Sequence, residues 1–431
     1  MLGVGIDWAE RFHLVALGSP DTGVSEVFRV EHTAPAVAAL ITRLAGVEPN
    51  PAEVRVVIET SHGMLVEALL DAGYTVLPVN PDLVARRRGP ARKKDDATDA
   101  RIACVLALDR FTTLRPLIPH GPLAAELRAI ARDDERANRD ERRLLNRLRA
   151  DLIATFPAAL VIAGDDLGAP TFLRLLTAWP TMIELSAAGR AEVEALARAG
   201  RHGWPHRFAD RVEQALSSAD VFTARDYLVR AKADTIRLAA TQLLAIGAQR
   251  RVWEKRMGTL LLDAPRRGRA CQPGPGPTGE DQRPNGFPGG EIYLSFAGLG
   301  DRLAARVAGE IGDHIEFFTS PNALQCYAGK APVTRRSGKS EFVVAHRLAC
   351  NRHLRDAVQQ WAFCSLNTSV WAREFYDSHR ARGKTHHATL RALGNRWLEV
   401  LWHCLTKGVL YDETVHIANR NRALTPKPAA A

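Results

Sequence analysis

The apolar positions of the first eighty residues fall into short runs with acids at their ends. Leu2 to Ile6 is a continuous apolar and glycine run that stops at Asp7, the pattern of a buried strand. Phe12 to Leu17 and Val24 to Val30 predict two more strands, with Pro20-Asp21-Thr22-Gly23 supplying the turn. An amphipathic helix follows over Pro35 to Leu44. A strand over Glu53 to Ile58 ends on Glu59, then come a helix, Met64 to Asp71, and a strand, Tyr74 to Val79, closed by Asn80-Pro81. The order is β-β-β-α-β-α-β. The stretch from Arg86 to Asp99 then sets Arg86, Arg87, Arg88, Arg92, Lys93 and Lys94 against Asp95, Asp96 and Asp99. It continues into an alanine-rich helix whose first turns carry the acids, where carboxylates suit the helix dipole. Asp96 and Asp99, three apart, are expected to share one helical face.

From Leu123 the period changes. Leu123, Leu127, Ile130, Ala137, Leu144, Leu148 and Leu152 recur at steps of three and four, with polar breaks at Asp134 and Glu141, which predicts a heptad-like helix. A second long helix is predicted over Ala224 to Leu262, and short helices punctuated by Gly and Pro lie between. The pair reads as an antiparallel hairpin or a dimerising arm, and the pattern does not choose. Gly268 to Gly290 is rich in Gly, Pro and polar residues, which predicts a poorly ordered linker or long loop. Beyond it, Leu303–Ile311, Asn322–Tyr327 and residues 351–369, 371–378 and 386–407 read as helices. Thr334 to Ser340 reads as an exposed polar loop, and the Gly298-Leu299-Gly300 turn offers backbone N–H groups of a kind that can hold a phosphate. The expected domains are 1–119, 120–265, a linker at 266–291, 292–412 and a tail at 413–431.

A chain of 431 residues with 46% hydrophobic and 25% charged residues is long enough for two or three domains, and is not disordered. Its net charge of +10 favours a polyanionic partner. The six cysteines form no C-x-x-C pair, so neither a zinc site nor a disulfide framework is signalled, and a bacterial cytoplasm is the expected setting. The N-terminus does not read as a signal peptide, and no apolar run predicts a membrane span.

Three meandering strands followed by αβαβ is the layout of the RNase H-like fold, in which acids from the first strand, the fourth strand and a late helix converge on a metal pair. Asp7, Glu59, Asp96 and Asp99 stand at those places. Mg²⁺, or Mn²⁺ in its place, takes carboxylate oxygens, and two such ions about 4 Å apart clamp the attacking and leaving oxygens of a phosphodiester. The flanking basic run would hold a nucleic-acid backbone.

With these pieces in place, the chain resembles the insertion sequence 110 family of bacterial transposases, which are bridge-RNA-guided DNA recombinases. The resemblance rests on Gly5-Ile6-Asp7, Ile58-Glu59, Asn80-Pro81 and Lys94-x-Asp96-x-x-Asp99-Ala100 in the first half. In the second it rests on Ala297-Gly298-Leu299-Gly300, Glu310-Ile311-Gly312-Asp313, Tyr327-Ala328-Gly329-x-Ala331-Pro332, Ser337-Gly338-Lys339, Asn351-x-x-Leu354-Arg355 and Tyr411-Asp412. It implies an α/β RNase H/RuvC-like N-terminal domain, a long helical, coiled-coil-like middle and a mainly α C-terminal domain. It further implies DNA as substrate, a guide RNA, and Asp7, Glu59, Asp96 and Asp99 as metal ligands. Ser337 would be the nucleophile, through a 5′-phosphoserine intermediate in a homo-oligomer (a dimer or tetramer) whose active sites are shared between protomers. Ser340 is its near competitor, and Arg335, Arg336 and Lys339 would neutralise the phosphate. Ala297 stands where that family usually has proline, Lys330 where it has an apolar residue, and His346 to Asn351 departs from its usual Ile-Ser-Lys-x-Gly-Asn.

Three other functions compete. A RuvC-like junction nuclease would use the same acids with water as nucleophile and has no need of the C-terminal half. A sugar kinase of the actin-like fold also opens on Gly-Ile-Asp, but follows it with a Gly/Thr-rich phosphate loop where this chain has Trp8-Ala9-Glu10. A non-catalytic RNA- or DNA-binding scaffold would not need the aligned acids.

Overall fold

A strand that is apolar on both faces is stable only where both faces are covered, and Leu2–Asp7 (β1) accordingly takes the centre of a five-stranded sheet. The computed structural model describes residues 1–88, 95–109, 114–117, 120–218, 224–262, 287–337, 340–344 and 350–424, with 333–344 and 421–424 described by backbone alone. The chain divides into two units, Met1–Pro119 and His120–Ala431.

In the first unit the strands are β1, β2 (Phe12–Ser19), β3 (Gly23–Glu31), β4 (Val54–Ile58) and β5 (Thr75–Pro78), in the sheet order β3-β2-β1-β4-β5. β1 to β3 form an antiparallel meander, while β4 and β5 run parallel to β1. Such a mixed sheet is consistent with the RNase H-like layout expected from the strand pattern. Helices α1 (Ala34–Val47) and α2 (Met64–Asp71) cover the face carrying Val4, Ile6, Val56 and Ile58. The other face, with Val57 and Leu77, is covered by α4 (Asp96–Leu108) and by Val84 of a short helix α3 (Pro81–Arg87). The sequence pattern does not show α3: Asn80-Pro81, read there as the end of a strand, is its N-cap and first residue, the Asn80 side chain accepting the Asp82 N–H.

Glycine decides how close α4 comes. A Cβ on Gly5 would lie 2.1 Å from the Ala100 carbonyl oxygen and the Cys104 nitrogen, and one on Gly3 would meet the Leu108 side chain at 2.6 Å. With no Cβ at either position, α4 rests directly on β1, and the Cys104 thiol donates to the Gly3 carbonyl at 3.3 Å.

Among its described residues the second unit is helical apart from one two-stranded sheet. Its two longest helices, α5 (Pro122–Thr155) and α10 (Asp226–Leu262), lie antiparallel, as their ion pairs show in sequence: Glu126 with Arg256, Asp134 and Glu141 with Arg250, and Asp151 with Lys232. The two helices thus form an antiparallel hairpin within the chain. The expected heptad seam is buried at Leu127, Ile130, Leu148 and Leu152 but only half-buried at Leu123 and from Ala137 to Leu144. Each end feeds its own core. Leu148 and Leu152 pack with α6 (Ala158–Ala163), α7 (Pro170–Ala178), α8 (Met182–Ala199) and α9 (Pro205–Ser217). Leu127, Ile130, Met257 and Leu261 pack with α11 (Gly290–Ser295), α12 (Asp301–Ile311), α13 (Pro321–Tyr327), α14 (Arg352–Ser365), α15 (Val370–Ala381) and α16 (His386–Lys407). A last helix, α17 (Glu413–Leu424), follows.

Most of the expected linker lies outside the described residues. Its end does not behave as one: Phe287 is buried and Gly290 opens α11, where a Cβ would strike the Leu261 carbonyl oxygen at 1.9 Å. The polar stretch around Ser337, expected as a loop, is instead a strand, β6 (Val333–Ser337), paired antiparallel with β7 (Ser340–Val344).

Candidate active site

The sheet register brings two of the predicted acids together. Ile6 of β1 lies beside Ile58 of β4, so Asp7 and Glu59, the next residues along, leave the sheet at adjacent strand ends. Both are half-buried. The close seating of α4 over Gly5 sets the first turn of that helix at the same end, with Asp99 buried to 4% exposure and Asp96 exposed as the opening residue. Asp95 precedes it as the N-cap, and its carboxylate accepts from the Thr98 hydroxyl rather than from backbone.

A cation already stands among these acids. Arg88, the C-cap of α3, donates from Nε to Asp99 Oδ1 at 2.7 Å and from Nη2 to Oδ2 at 2.5 Å. The bonds to Asp99 push its guanidinium pKa up, against burial, with the charges of Asp99, Glu59 and Asp7 adding to the effect. Asp7, Glu59 and Asp99 thus share one cation's field, contributed by two strands and a helix. The structure divides the expected nucleic-acid-binding run: Arg86 and Arg87 are exposed on the last turn of α3, while Arg88 turns inward onto Asp99. Arg92, Lys93, Lys94 and Lys339 lie outside the described residues. Sequence reasoning grouped Arg88 with its neighbours, and no spacing signal sets it apart.

Beside Asp7 stands an aromatic group. Trp8 packs against His13 and His32, and His13, which is completely buried, places Nε2 2.9 Å from His32 Nδ1. Burial, helped by His32, pushes the His13 pKa down to about 4, so the ring is neutral at ordinary pH.

The second unit positions Ser337 differently. Ser337 ends β6 opposite Ser340, so the two candidate serines are cross-strand partners; Arg335 and Arg336 precede them on the same strand. The excursion that carries this hairpin is closed at its base, where the Asn351 N–H donates to the Tyr327 carbonyl at 2.8 Å. The Asn351 side chain donates to Glu310 at 2.7 Å and to the Tyr327 hydroxyl at 2.9 Å, and accepts the Leu354 N–H as the N-cap of α14. Glu310, 2% exposed, also takes two bonds from Arg132 of α5, at 2.7 and 3.0 Å. Burial alone would raise the Glu310 carboxyl; the bonds from Arg132, with Asn351 and Arg128, outweigh it and hold the group below the usual carboxylate range. Three of the short motifs in this half, at Glu310, Tyr327 and Asn351, are therefore one buried polar network that supports the hairpin.

Comparison with known proteins gives these features a family. Residues 4–157 match a DEDD transposase model of the IS110 type, and residues 290–377 match the transposase IS116/IS110/IS902 family. The putative transposase of the IS117 mini-circle of Streptomyces coelicolor is 33% identical over 417 residues, 95% of each chain. The chain belongs to the IS110 family of transposases. Other relatives are the 43.6 kDa protein of IS110 from S. coelicolor, 28% identical over 79% of this chain and 78% of its own, and the 42 kDa protein of IS900 from Mycobacterium paratuberculosis, 29% identical over 87% and 88%. This IS110-family transposase is therefore an enzyme of a mobile element that acts on DNA, and its DEDD domain points to dependence on a divalent metal. The first match contains Asp7, Glu59, Asp95, Asp96 and Asp99, and the second contains the hairpin with Ser337 and the Glu310–Asn351 pair. Among the described residues, no helix is long and apolar enough to cross a membrane.

Proposed function

We propose that this transposase cuts and rejoins DNA strands with two sets of groups: Asp7, Glu59, Asp96 and Asp99 as ligands for Mg²⁺ or Mn²⁺, and Ser337 as nucleophile. The observation that carries the reading is the sheet register that ends β1 at Asp7 beside Glu59, with the first turn of α4 and its buried Asp99 seated over the same strand. Carboxylate oxygens are the donors a hard divalent cation takes, and those of Asp99 already hold one positive group. Among the described residues no three such side chains are close enough to share one ion, and an ion bound at Asp99 would compete with Arg88 for its oxygens. When bound, a pair of such ions stabilises the attacking and leaving oxygens of a phosphodiester.

The Ser337 oxygen attacks phosphorus, the P–O3′ bond breaks, and the departing 3′ oxygen takes a proton. The strand is left esterified to serine through its 5′ phosphate, and a 3′ hydroxyl from another strand reverses the step to rejoin. Arg335, Arg336 and Lys339 balance the phosphate charge. Arg86, Arg87, Arg92, Lys93 and Lys94 hold nucleic-acid backbone, in keeping with the net charge of +10. A structured guide RNA selects the DNA, in the bacterial cytoplasm, within a homo-oligomer (a dimer or tetramer) in which one protomer's acids serve another's serine. The family membership and the separation of acids and serine into two units support this part.

The test uses Ser337→Ala and Asp7→Ala. Each is expected to abolish the covalent protein–DNA adduct while complexes still assemble, and mixing the two variants is expected to restore part of the activity. An adduct lost only in Ser340→Ala would move the nucleophile across the hairpin. Normal cleavage in both serine variants would leave water as the nucleophile and favour the junction-nuclease reading.

A further inference from the structure

Trp8 follows Asp7 at the point where β1 leaves the sheet, and its side chain is 42% exposed. It is nevertheless held. The His13 ring lies 6.4 Å from it, centre to centre, with 27° between the planes, and His32 stands edge-on at 6.5 Å. Both histidines are tied into the sheet. His13 sits on β2 with its Nδ1 accepting the Ala9 N–H at 3.4 Å, and the backbone N–H of His32, just past β3, donates to the Arg11 carbonyl at 2.9 Å. The loop that carries the indole is thus fixed at Ala9 and Arg11. An exposed indole whose carrier loop is held in this way loses little freedom when a flat partner covers it. Nucleobases are such partners, because each presents a π-face regardless of sequence.

We propose that Trp8 is a positioning residue, a stacking platform for the base of the DNA nucleotide whose phosphate is processed at the neighbouring acids. The proposal rests on the reading of Asp7, Glu59 and Asp99 as the phosphodiester site. A base is joined to its own phosphate through a single sugar. Seating it one residue beyond Asp7 therefore fixes which phosphate in the strand meets the carboxylates. The platform sets the register of the cut, and the acids perform it.

The test uses the full-length protein and single-stranded DNA carrying 5-iodouracil at one position at a time. On irradiation, one position near the cut is expected to give an adduct that peptide mass spectrometry places on Trp8. Trp8→Phe, which keeps a ring, is expected to bind the strand within a few-fold of wild type. Trp8→Ala is expected to weaken binding by roughly five- to a hundredfold, the range for loss of one stacked base, with the salt dependence unchanged because no charge is lost. In Trp8→Ala, cleavage should also spread to neighbouring phosphates, an effect that a merely structural role would not produce. The idea is overturned if no position cross-links to Trp8, if Trp8→Ala binds and cuts as wild type does, or if RNA of the same sequence cross-links where DNA does not. Asp7→Asn separates the two readings. An adduct that persists while cleavage is lost supports both; an adduct with cleavage intact removes the acids' role and with it the register of the cut, leaving base stacking on Trp8 alone; and loss of the adduct in Trp8→Ala with cleavage confined to one phosphate overturns the register while sparing the acids.

Discussion

A guanidinium with two bonds to Asp99 competes with any divalent ion for the same pair of oxygens. Arg88→Gln removes that competitor and leaves Asp99, at 4% exposure, as a buried carboxylate in need of a cation. In chelator, the variant is expected to melt below the wild type. Manganese should restore its Tm and bind on the order of tenfold more tightly, since a hydrogen bond to a charged group contributes about 1.5–3 kcal/mol. Unchanged manganese affinity would show that the arginine and the ion do not contest Asp99. The acids stand out in the sequence because each ends a short apolar run or opens an alanine-rich helix. It could not show Arg88's role, since three successive arginines look alike until the C-terminal end of α3 turns one of them inward. The expectation of a shared face for Asp96 and Asp99 missed how differently the two are exposed: the seat of α4 over Gly5 covers one and leaves the other in water.

At the scale of elements, the strands of the first unit and its helices other than α3 followed from apolar runs a few residues long, most plainly at β1 and β4, where burial leaves little ambiguity. The β6–β7 hairpin did not, because Thr334-Arg335-Arg336-Ser337 has no apolar alternation to announce a strand. The partner of α5 was equally hidden, as seven periodic apolar positions fit a second copy of the chain as well as α10. Buried charge supplies a choice that the periodicity leaves open. Asp134, 2% exposed at the half-buried waist of the helix pair, receives a bond from Arg250 at 2.9 Å, and Arg302 of α12 lies 3.3 Å away. Arg250→Leu is expected to cost about 3 kcal/mol by leaving that carboxylate poorly paired, whereas Arg250→Leu with Asp134→Leu should recover most of the loss. Denaturant unfolding of the two variants checks this; equal destabilisation would mean the pair contributes attraction rather than avoiding a penalty.

For the whole molecule, stability should carry the mark of one buried lysine. Lys330 is 4% exposed, donates to Gln359 at 2.7 Å, and burial pushes its pKa down to about 7. Below that pH both folded and unfolded chains hold its proton, and folding bears the full burial penalty, roughly 4–5 kcal/mol. Between about pH 7 and the ordinary lysine range, the unfolded chain holds more proton than the folded one, so stability rises with pH. Lys330→Met is therefore expected to raise Tm at pH 6, with the gain shrinking as pH approaches 10; a gain that does not change with pH would rule out the charge as its source. The same neighbourhood has a meaning for protein engineering. Tyr327 and Asn351 hold the two ends of residues 328–350 together by a backbone bond, and Glu310 braces the joint from beneath. The serine hairpin is thus a cartridge in a fixed socket. Exchanges of the hairpin between homologues should therefore keep the three residues of the socket, the buried Ala328, Lys330 and Ala331, and Ser337 itself.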